Sequence, residues 1–344
     1  MWMQSNSTPD SYPIHDIMAM PYASNALLVG ILELDLFSKL SNNPSTLSEV
    51  CQITDLAERP ARILLKAFNA LNFLTKDNDR YFLTPLSETF FVKGQPFYLG
   101  DAISIYKDNQ VTYEQMRRAI RENKPCLYEN KDEIFEVHRQ DDEKALAFTK
   151  WMHVRSLVTG SSLVERFDFS RYRQLVDVGG GSGGISIMIA RQNPHLKAAI
   201  YDMPPVCKTA EQMIAQFELT ENISTIAGDM FKDKFKEKFP KNTDIVVYSR
   251  ILHDWPIQQC KYLLRQAFDV LPPGGIVMII ESLVDESNPE RLSPFLENLA
   301  MLQCTEGEQF DRDEIEELLK ATGFSNISIE AIASNYNLIT APKP

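Results

Sequence analysis

Nothing in the 344 residues suggests a disulfide framework or a zinc site. The five cysteines, Cys51, Cys126, Cys207, Cys260 and Cys304, are odd in number and scattered. They show no CxxC or Cys/His ligand spacing, so no bound metal is expected. A reducing cytoplasm is the simplest setting for such a chain. No apolar run of about 18 residues occurs. The opening "MWMQSNSTPDSYPIHD" has no basic region and no continuous apolar stretch. Neither a signal peptide nor a membrane span is therefore expected. Positive charge is also scarce, with 35 Lys and Arg against 47 Asp and Glu, a net −12. Phosphate binding relies on clustered cations, so a nucleic-acid partner is not expected. Repeats and low-complexity segments are missing too. What remains is ordinary globular composition, 44% apolar and 24% charged. The length suffices for one large domain or two ordinary ones.

The chain has two textures. From Ile14 to Leu40 apolar residues recur at helical spacing, and "SNNPS" (41–45) reads as a loop. Residues 46–56 read as a short helix, with Thr46 and Glu49 as a capping box. Residues 57–74 read as a second helix, and "TKDNDRYFLTP" (75–85) as a pair of short strands. Helix, turn, helix and β-ribbon make a winged-helix pattern. DNA binding would need basic groups on the second helix. That helix offers Arg59, Arg62 and Lys66 against Glu58, and the wing carries Asp77 and Asp79. A dimerisation role fits better, because the flanking helices are more apolar than one small domain can bury. Residues 86–165 read as helices and loops, with a charged, solvated stretch over 128–148. After Phe169 strands and helices alternate, and the strands are continuously apolar. That texture implies a mostly parallel, doubly wound α/β sheet from about residue 170. The reading divides the chain into 1–98, a mainly helical dimerisation domain, and 99–344, a helical connector plus the sheet domain.

The sheet domain carries the chemistry. "DVGGGSGG" places glycines at 179, 181 and 183 between a strand and a helix. Such a loop lets the backbone approach a ligand at a helix N-terminus. Gly179, Gly181 and Gly184 also fit the dinucleotide fingerprint, so the glycines alone do not separate NAD from another adenosine ligand. Three acids at successive strand ends narrow the choice. Asp177 lies within the first strand and suits a cationic or ammonium-bearing ligand. Asp202 ends the second, where a carboxylate can accept both ribose hydroxyls. Asp229 ends the third in "GDMF", within reach of an adenine amine, with Met230 against the ring. The plainer readings are a turn residue for Asp202 and a loop cap for Asp229. Finally, "DIVVYSRILHDWP" (244–256) begins as a buried strand and breaks into Arg250, His253, Asp254 and Trp255 without a turn glycine.

The motifs "LVDVGGGSGG", "YDMP", "GDMF", "SRILHDW", "PPGGIVMIIE" and "ATGF" resemble, in order and spacing, those of class I S-adenosylmethionine-dependent O-methyltransferases. The likeness is to the small-molecule branch with an N-terminal winged-helix dimerisation domain, and it covers nearly the whole chain. It implies a Rossmann-like catalytic domain, S-adenosylmethionine as cofactor with S-adenosylhomocysteine as product, a small-molecule acceptor, a homodimer and no metal. By resemblance the cofactor residues are Asp177, Gly179, Gly181, Asp202, Met203, Asp229, Met230, Ser249 and Arg250. His253 corresponds to the general base and Glu281 to the glutamate that holds it. The family's second glutamate falls on Gln309, a departure, with Glu308 beside it. Met152 matches a substrate-clamping methionine. Phe148, Asp254 and Met301 join it as acceptor contacts, and Trp151 and Leu302 as further pocket walls. Trp255 is expected to pack beneath the cofactor, and Arg155 and Ser156 to reach its carboxylate. His153 is either a pocket wall or core packing. His15, His138 and His195 lie outside the motifs and are expected on the surface.

Methyl transfer is an in-line displacement, so positioning supplies much of the rate. An imidazole of pKa ~6.5 facing a phenol of pKa ~10 is mismatched by ~3.5 units, or ~5 kcal/mol. Proton transfer during attack in a water-poor pocket lowers that cost. The alternatives are transfer to sulfur, nitrogen or carbon, and a family member that binds the cofactor without methylating. A DNA-binding regulator and an NAD-dependent dehydrogenase are more distant readings.

Overall fold

A computed structural model describes residues 14, 17, 18, 20–95, 97–103, 112–125, 142–288, 293–333 and 335–344. They belong to two units, Met1–Gln110 and Val111–Pro344. In the first unit, α1 (Pro21–Leu28) opens on a proline and passes into a π-helical turn, Val29–Glu33. The helical spacing expected to run unbroken to Leu40 is interrupted. Asp35 adopts a left-handed conformation (φ 51) before α2 (Leu36–Leu40). Short polar residues tolerate that region best. Next come β1 (Ser45–Thr46) and α3 (Leu47–Thr54). The expected capping box forms, with Glu49 N–H donating to Thr46 Oγ1 and Thr46 N–H to Glu49 Oε2. After α4 (Glu58–Ala70), the strands β2 (Leu74–Asp77) and β3 (Arg80–Leu83) complete a sheet of order β1-β3-β2. Phe37, Phe68, Phe73 and Phe91 fill the interior, with ring centroids of Phe37 and Phe91 4.9 Å apart. Two short helices follow, α5 (Pro85–Phe90) and α6 (Gly100–Ile103).

The second unit begins with α7 (Tyr113–Glu122) and the long α8 (Asp142–Arg166). Then strands and helices alternate: β4 (Gln174–Val178), α9 (Gly184–Gln192), β5 (Lys197–Asp202), α10 (Pro204–Gln216), β6 (Ile223–Ala227) and α11 (Phe235–Lys238). The series continues with β7 (Ile245–Ser249), α12 (Ile257–Val270), β8 (Ile276–Glu281), α13 (Ser293–Cys304), α14 (Arg312–Thr322), β9 (Ser328–Ala333) and β10 (Tyr336–Pro342). Helix α10 starts at Pro204, five residues before the expected 209, because proline's φ suits a first helical turn.

The sheet order is β6-β5-β4-β7-β8-β10-β9, with only β10 antiparallel to its neighbours. Helices cover both faces, so the central strands are apolar on both sides. All of Ile245–Tyr248 and Ile276–Glu281 are buried. Strand order reverses between β4 and β7, which makes the crevice beyond their carboxyl ends the expected ligand site. Register then aligns the exits. Val178 pairs with both Tyr201 and Tyr248, Asp202 with Ala227, and Ser249 with Ile280. Gly179, Asp202, Gly228, Arg250 and Glu281 therefore emerge along one edge.

Candidate active site

The glycine loop leaves β4 under tight backbone constraint. Gly179, Gly181 and Gly183 all have positive φ. Side chains are nearly excluded from that region, so glycine is required. A Cβ on Gly181 would meet nothing within 4 Å, so the loop crest is open. Its base is held by two carboxylates. Asp202 accepts from Gly181 N–H through Oδ2 (2.9 Å) and from Met203 N–H through Oδ1 (2.7 Å). Asp177 Oδ2 accepts from Ser186 Oγ (2.8 Å). Asp177 Oδ1 is buried without a hydrogen-bond partner among the described residues. Burial pushes both carboxyls up to about 6, despite the hydrogen bonds each accepts.

Across the switch point stands Arg250. It is buried and holds φ 55, unusual for a long side chain. Its Nη2 donates to Ser156 Oγ (2.7 Å), while Nε and Nη1 have no partner among the described residues. The Ser249 hydroxyl is also buried and unpartnered among them. A buried carboxylate and a buried guanidinium, both with free valences, match the ammonium and carboxylate of an amino-acid ligand. The remaining lone pairs of Asp202 suit ribose hydroxyls. The residues thus fit an S-adenosylmethionine-like molecule. Asp229 also caps its own loop, accepting from Phe231 N–H (3.1 Å) and pairing with Lys232 (2.9 Å). Met230 is partly buried, and the Trp255 and Phe231 ring centroids lie 4.6 Å apart.

The "LHD" segment forms a 3-10 turn, Leu252–Asp254, directly after β7. Glu281, fully buried at the end of β8, holds it. Oε1 accepts from the N–H groups of Leu252 and His253 (3.1 and 3.4 Å). Oε2 lies 2.6 Å from His253 Nδ1. Asp254 Oδ1 is 3.6 Å from Nε2. Desolvation pulls the imidazole down. The charges of Glu281, Asp254 and, more weakly, Glu297 outweigh it, and the ring rises to about 9. The expected reference value of ~6.5 therefore does not hold in the fold. Burial also pushes Asp254 up to about 6.

Gln309 is buried and Glu308 exposed. The Gln309 N–H donates to Asn298 Oδ1 (3.0 Å), and its Oε1 has no partner among the described residues. Gly307, which sequence reasoning passed over, seats this segment on the Leu252–Asp254 turn. A Cβ there would overlap His253 O, with Trp255 N 2.5 Å away. A glycine among acids in "TEGEQ" was the available signal. Glu297, also passed over, pairs with Arg155 (2.7 Å), which in turn donates to the Tyr336 hydroxyl. That pairing engages Arg155, whereas Ser156 faces Arg250. Met152, Met301 and Leu302 are partly buried. The side chains of Phe148 and Trp151 lie outside the described residues, as do His15, His138 and Cys126; His195 is exposed. His153 lies against the glycine loop, with Nδ1 2.7 Å from Ser182 Oγ.

A family model described as an O-methyltransferase domain matches residues 113–325. The chain belongs to this family. A 3-hydroxy-5-methyl-1-naphthoate 3-O-methyltransferase from Streptomyces sahachiroi is 31% identical over 310 residues, 89% of this chain and 88% of that one. The N,N-dimethyltransferase OxyT of Streptomyces rimosus is 28% identical over 77% of this chain and 76% of its own. Human N-acetylserotonin methyltransferase, solved in complex with SAM, superposes with a TM-score of 0.79 at 25% identity, over 100% of this chain and 99% of that one. As an O-methyltransferase family member the chain is an S-adenosylmethionine-dependent methyltransferase of small molecules. Among the described residues no group of His, Cys, Asp and Glu could hold a metal ion, and no helix is long and apolar enough to cross a membrane.

Proposed function

We propose that this methyltransferase acts on a hydroxyl of a small aromatic or enolic acceptor, with His253 as general base. The observation carrying this reading is the buried His253–Glu281 pair at the exit of the switch-point strands. When bound, the cofactor supplies an electrophilic methyl group on a positively charged sulfur. Asp177 would hold its ammonium group, Arg250 its carboxylate and Asp202 its ribose. Gly179 and Gly181 would give the backbone approach, Ser249 a further polar contact, and Met203, Asp229 and Met230 the adenine side.

His253 takes the acceptor proton. Glu281 fixes the ring and stabilises the imidazolium. With the ring raised to about 9, the mismatch to a phenol shrinks to ~1 unit, so the transfer costs ~1.4 kcal/mol instead of ~5. The cost is that only ~1% of the free enzyme carries a neutral ring at pH 7. Asp254 orients the hydroxyl, and Met152, Met301 and Phe148 grip the acceptor. Burial of Gln309 and exposure of Glu308 favour Gln309 as the second group behind the base. As a neutral amide it leaves Glu281 as the main counter-charge.

The N-terminal unit would serve homodimerisation through a winged-helix domain ending near residue 98. Its exposed apolar residues Met20, Tyr22, Val29 and Ile63 favour that role. The OxyT likeness supports one second reading, transfer to nitrogen. The test is calorimetry with S-adenosylhomocysteine, with NAD as control, then labelled methyl transfer to hydroxynaphthoates and indoles. Binding is lost in Asp202→Ala. His253→Ala keeps binding and loses about 10²–10⁴-fold in rate. A His253→Ala enzyme of undiminished rate points to an acceptor that needs no base and sinks the hydroxyl reading.

A further inference from the structure

His153 plays no part in the chemistry proposed above, yet it stands on a close helix–helix contact beside the glycine loop. It is buried in α8, one turn ahead of Leu157, with its backbone carbonyl facing the start of α9. There the helices meet without room for a side chain. A Cβ on Gly184 would lie 2.5 Å from Ser156 Cβ, 3.0 Å from Leu157 N and 3.1 Å from His153 O. A second close approach, Gly160 on Met188 Cβ (2.8 Å), locks the same helix pair. The 153–157 turn of α8 is thus a rigid abutment directly beneath the glycine loop.

From that abutment the His153 ring reaches Ser182, the one non-glycine residue between Gly179 and Gly184. Nδ1 and Oγ are 2.7 Å apart and both residues are buried. A loop of consecutive glycines has no other side chain by which to be held. The edge of Phe217 flanks the ring, with centroids 6.2 Å apart. Two further residues of the same turn point elsewhere, Ser156 to Arg250 and Arg155 to Glu297 on α13. One turn of α8 therefore grips the glycine loop, the cofactor-facing arginine and an acceptor-side helix.

We infer that His153 is a positioning residue for cofactor binding: through Ser182 it tethers the glycine loop to α8 and holds the loop's open crest ready for the ligand. Glycine-rich backbone loses more entropy on ordering than any other, so pre-ordering it raises affinity. The tether is also electrically suitable. Burial pulls the ring down to about 4, so it is neutral at working pH and adds no positive charge beside a site for a cationic ligand. A lysine there would reach the hydroxyl but repel the ligand.

The inference rests on the glycine loop being the cofactor site, which wild-type and Asp202→Ala titrations test separately. Its own test is S-adenosylhomocysteine calorimetry on four variants of the full chain. His153→Leu keeps bulk and loses the bond; Ser182→Ala removes one oxygen. Each should weaken binding roughly five- to tenfold, the scale of one buried hydrogen bond. The double variant should bind no more weakly than the weaker single. His153→Asn, whose amide can stand where Nδ1 stands, should restore near wild-type affinity. Unchanged affinity in Ser182→Ala, losses that multiply in the double variant, or an Asn variant as weak as Leu would each overturn the inference. If His153→Leu does not fold, Ser182→Ala against His153→Asn decides.

Discussion

In the folded chain the His253 imidazole stands 2.6 Å from a carboxylate that has no exposure to water. The pair explains why a strand should break off into "LHDW" with no turn glycine. Glu281 replaces the turn's missing hydrogen bonds with its Oε1 and charges the ring with its Oε2. Removing that charge lowers the ring's pKa. In Glu281→Gln the ascending limb of kcat/KM, expected near pH 9 in the wild type, should move acidward by at least one unit while the plateau rate falls. A stopped-time methyl-transfer assay from pH 6 to 10 checks this, and an unmoved limb would mean another group titrates. Asp177 illustrates the opposite economy. Its carboxyl is raised to about 6, so the native state loses stability as pH rises through 6. Asp177→Asn should stabilise the ligand-free protein by about 1–3 kcal/mol at pH 7.5, with no gain below pH ~4. It should bind S-adenosylhomocysteine poorly or not at all. Denaturant melts at the two pH values, with calorimetry beside them, decide the matter.

Elements set where these groups meet. Parallel register brings the exits of β4, β5, β6, β7 and β8 to one edge, and those of β4, β6 and β7 are then capped by a neighbour strand. Gly179 N–H donates to Tyr201 O, Gly228 N–H to Asp202 O and Arg250 N–H to Ile280 O. The 305–310 segment lies on the Leu252–Asp254 turn through Gly307. Gly307→Ala should push the turn off Glu281 and cut kcat at least tenfold, while S-adenosylhomocysteine affinity stays within about twofold. A parallel loss of both would show that the segment supports the whole site rather than the turn. The capping box at Thr46–Glu49 and the Pro204 start of α10 are local effects of the same kind, decided within one helical turn. The left-handed Asp35 is not. Its neighbours read as continuous helix, and only the packed aromatic cluster around Phe37 determines where the chain must bend.

At the scale of the molecule, stability and pH are linked through the same site. His253 is raised from its ordinary value to about 9, so its contribution is complete below pH ~6.5 and is lost as pH rises toward 9. The ligand-free enzyme should lose up to about 3 kcal/mol between pH 6.5 and 8.5 through this group. Glu281→Gln should flatten that slope, and paired urea melts across the range would show whether it does. If the homodimer forms, sedimentation should give roughly twice the chain mass of 39.3 kDa.

The alternation of apolar strands and helices, the glycine loop, the acids at successive strand ends and the "ILHDW" turn were all legible in the sequence. Each depends on residues adjacent in the chain, and backbone preference and hydrophobic period are properties of neighbours. The sequence therefore determined the sheet domain, the cofactor class and which residues stand at the strand ends around the switch point. It could not decide how those residues charge one another. The rise of His253 to about 9, the Asp177 and Arg250 atoms without a hydrogen-bond partner among the described residues, the seat of Gly307 and the His153–Ser182 contact come from groups far apart in the chain. Desolvation and Coulomb interaction depend on what surrounds a group in three dimensions, and only tertiary packing supplies those surroundings.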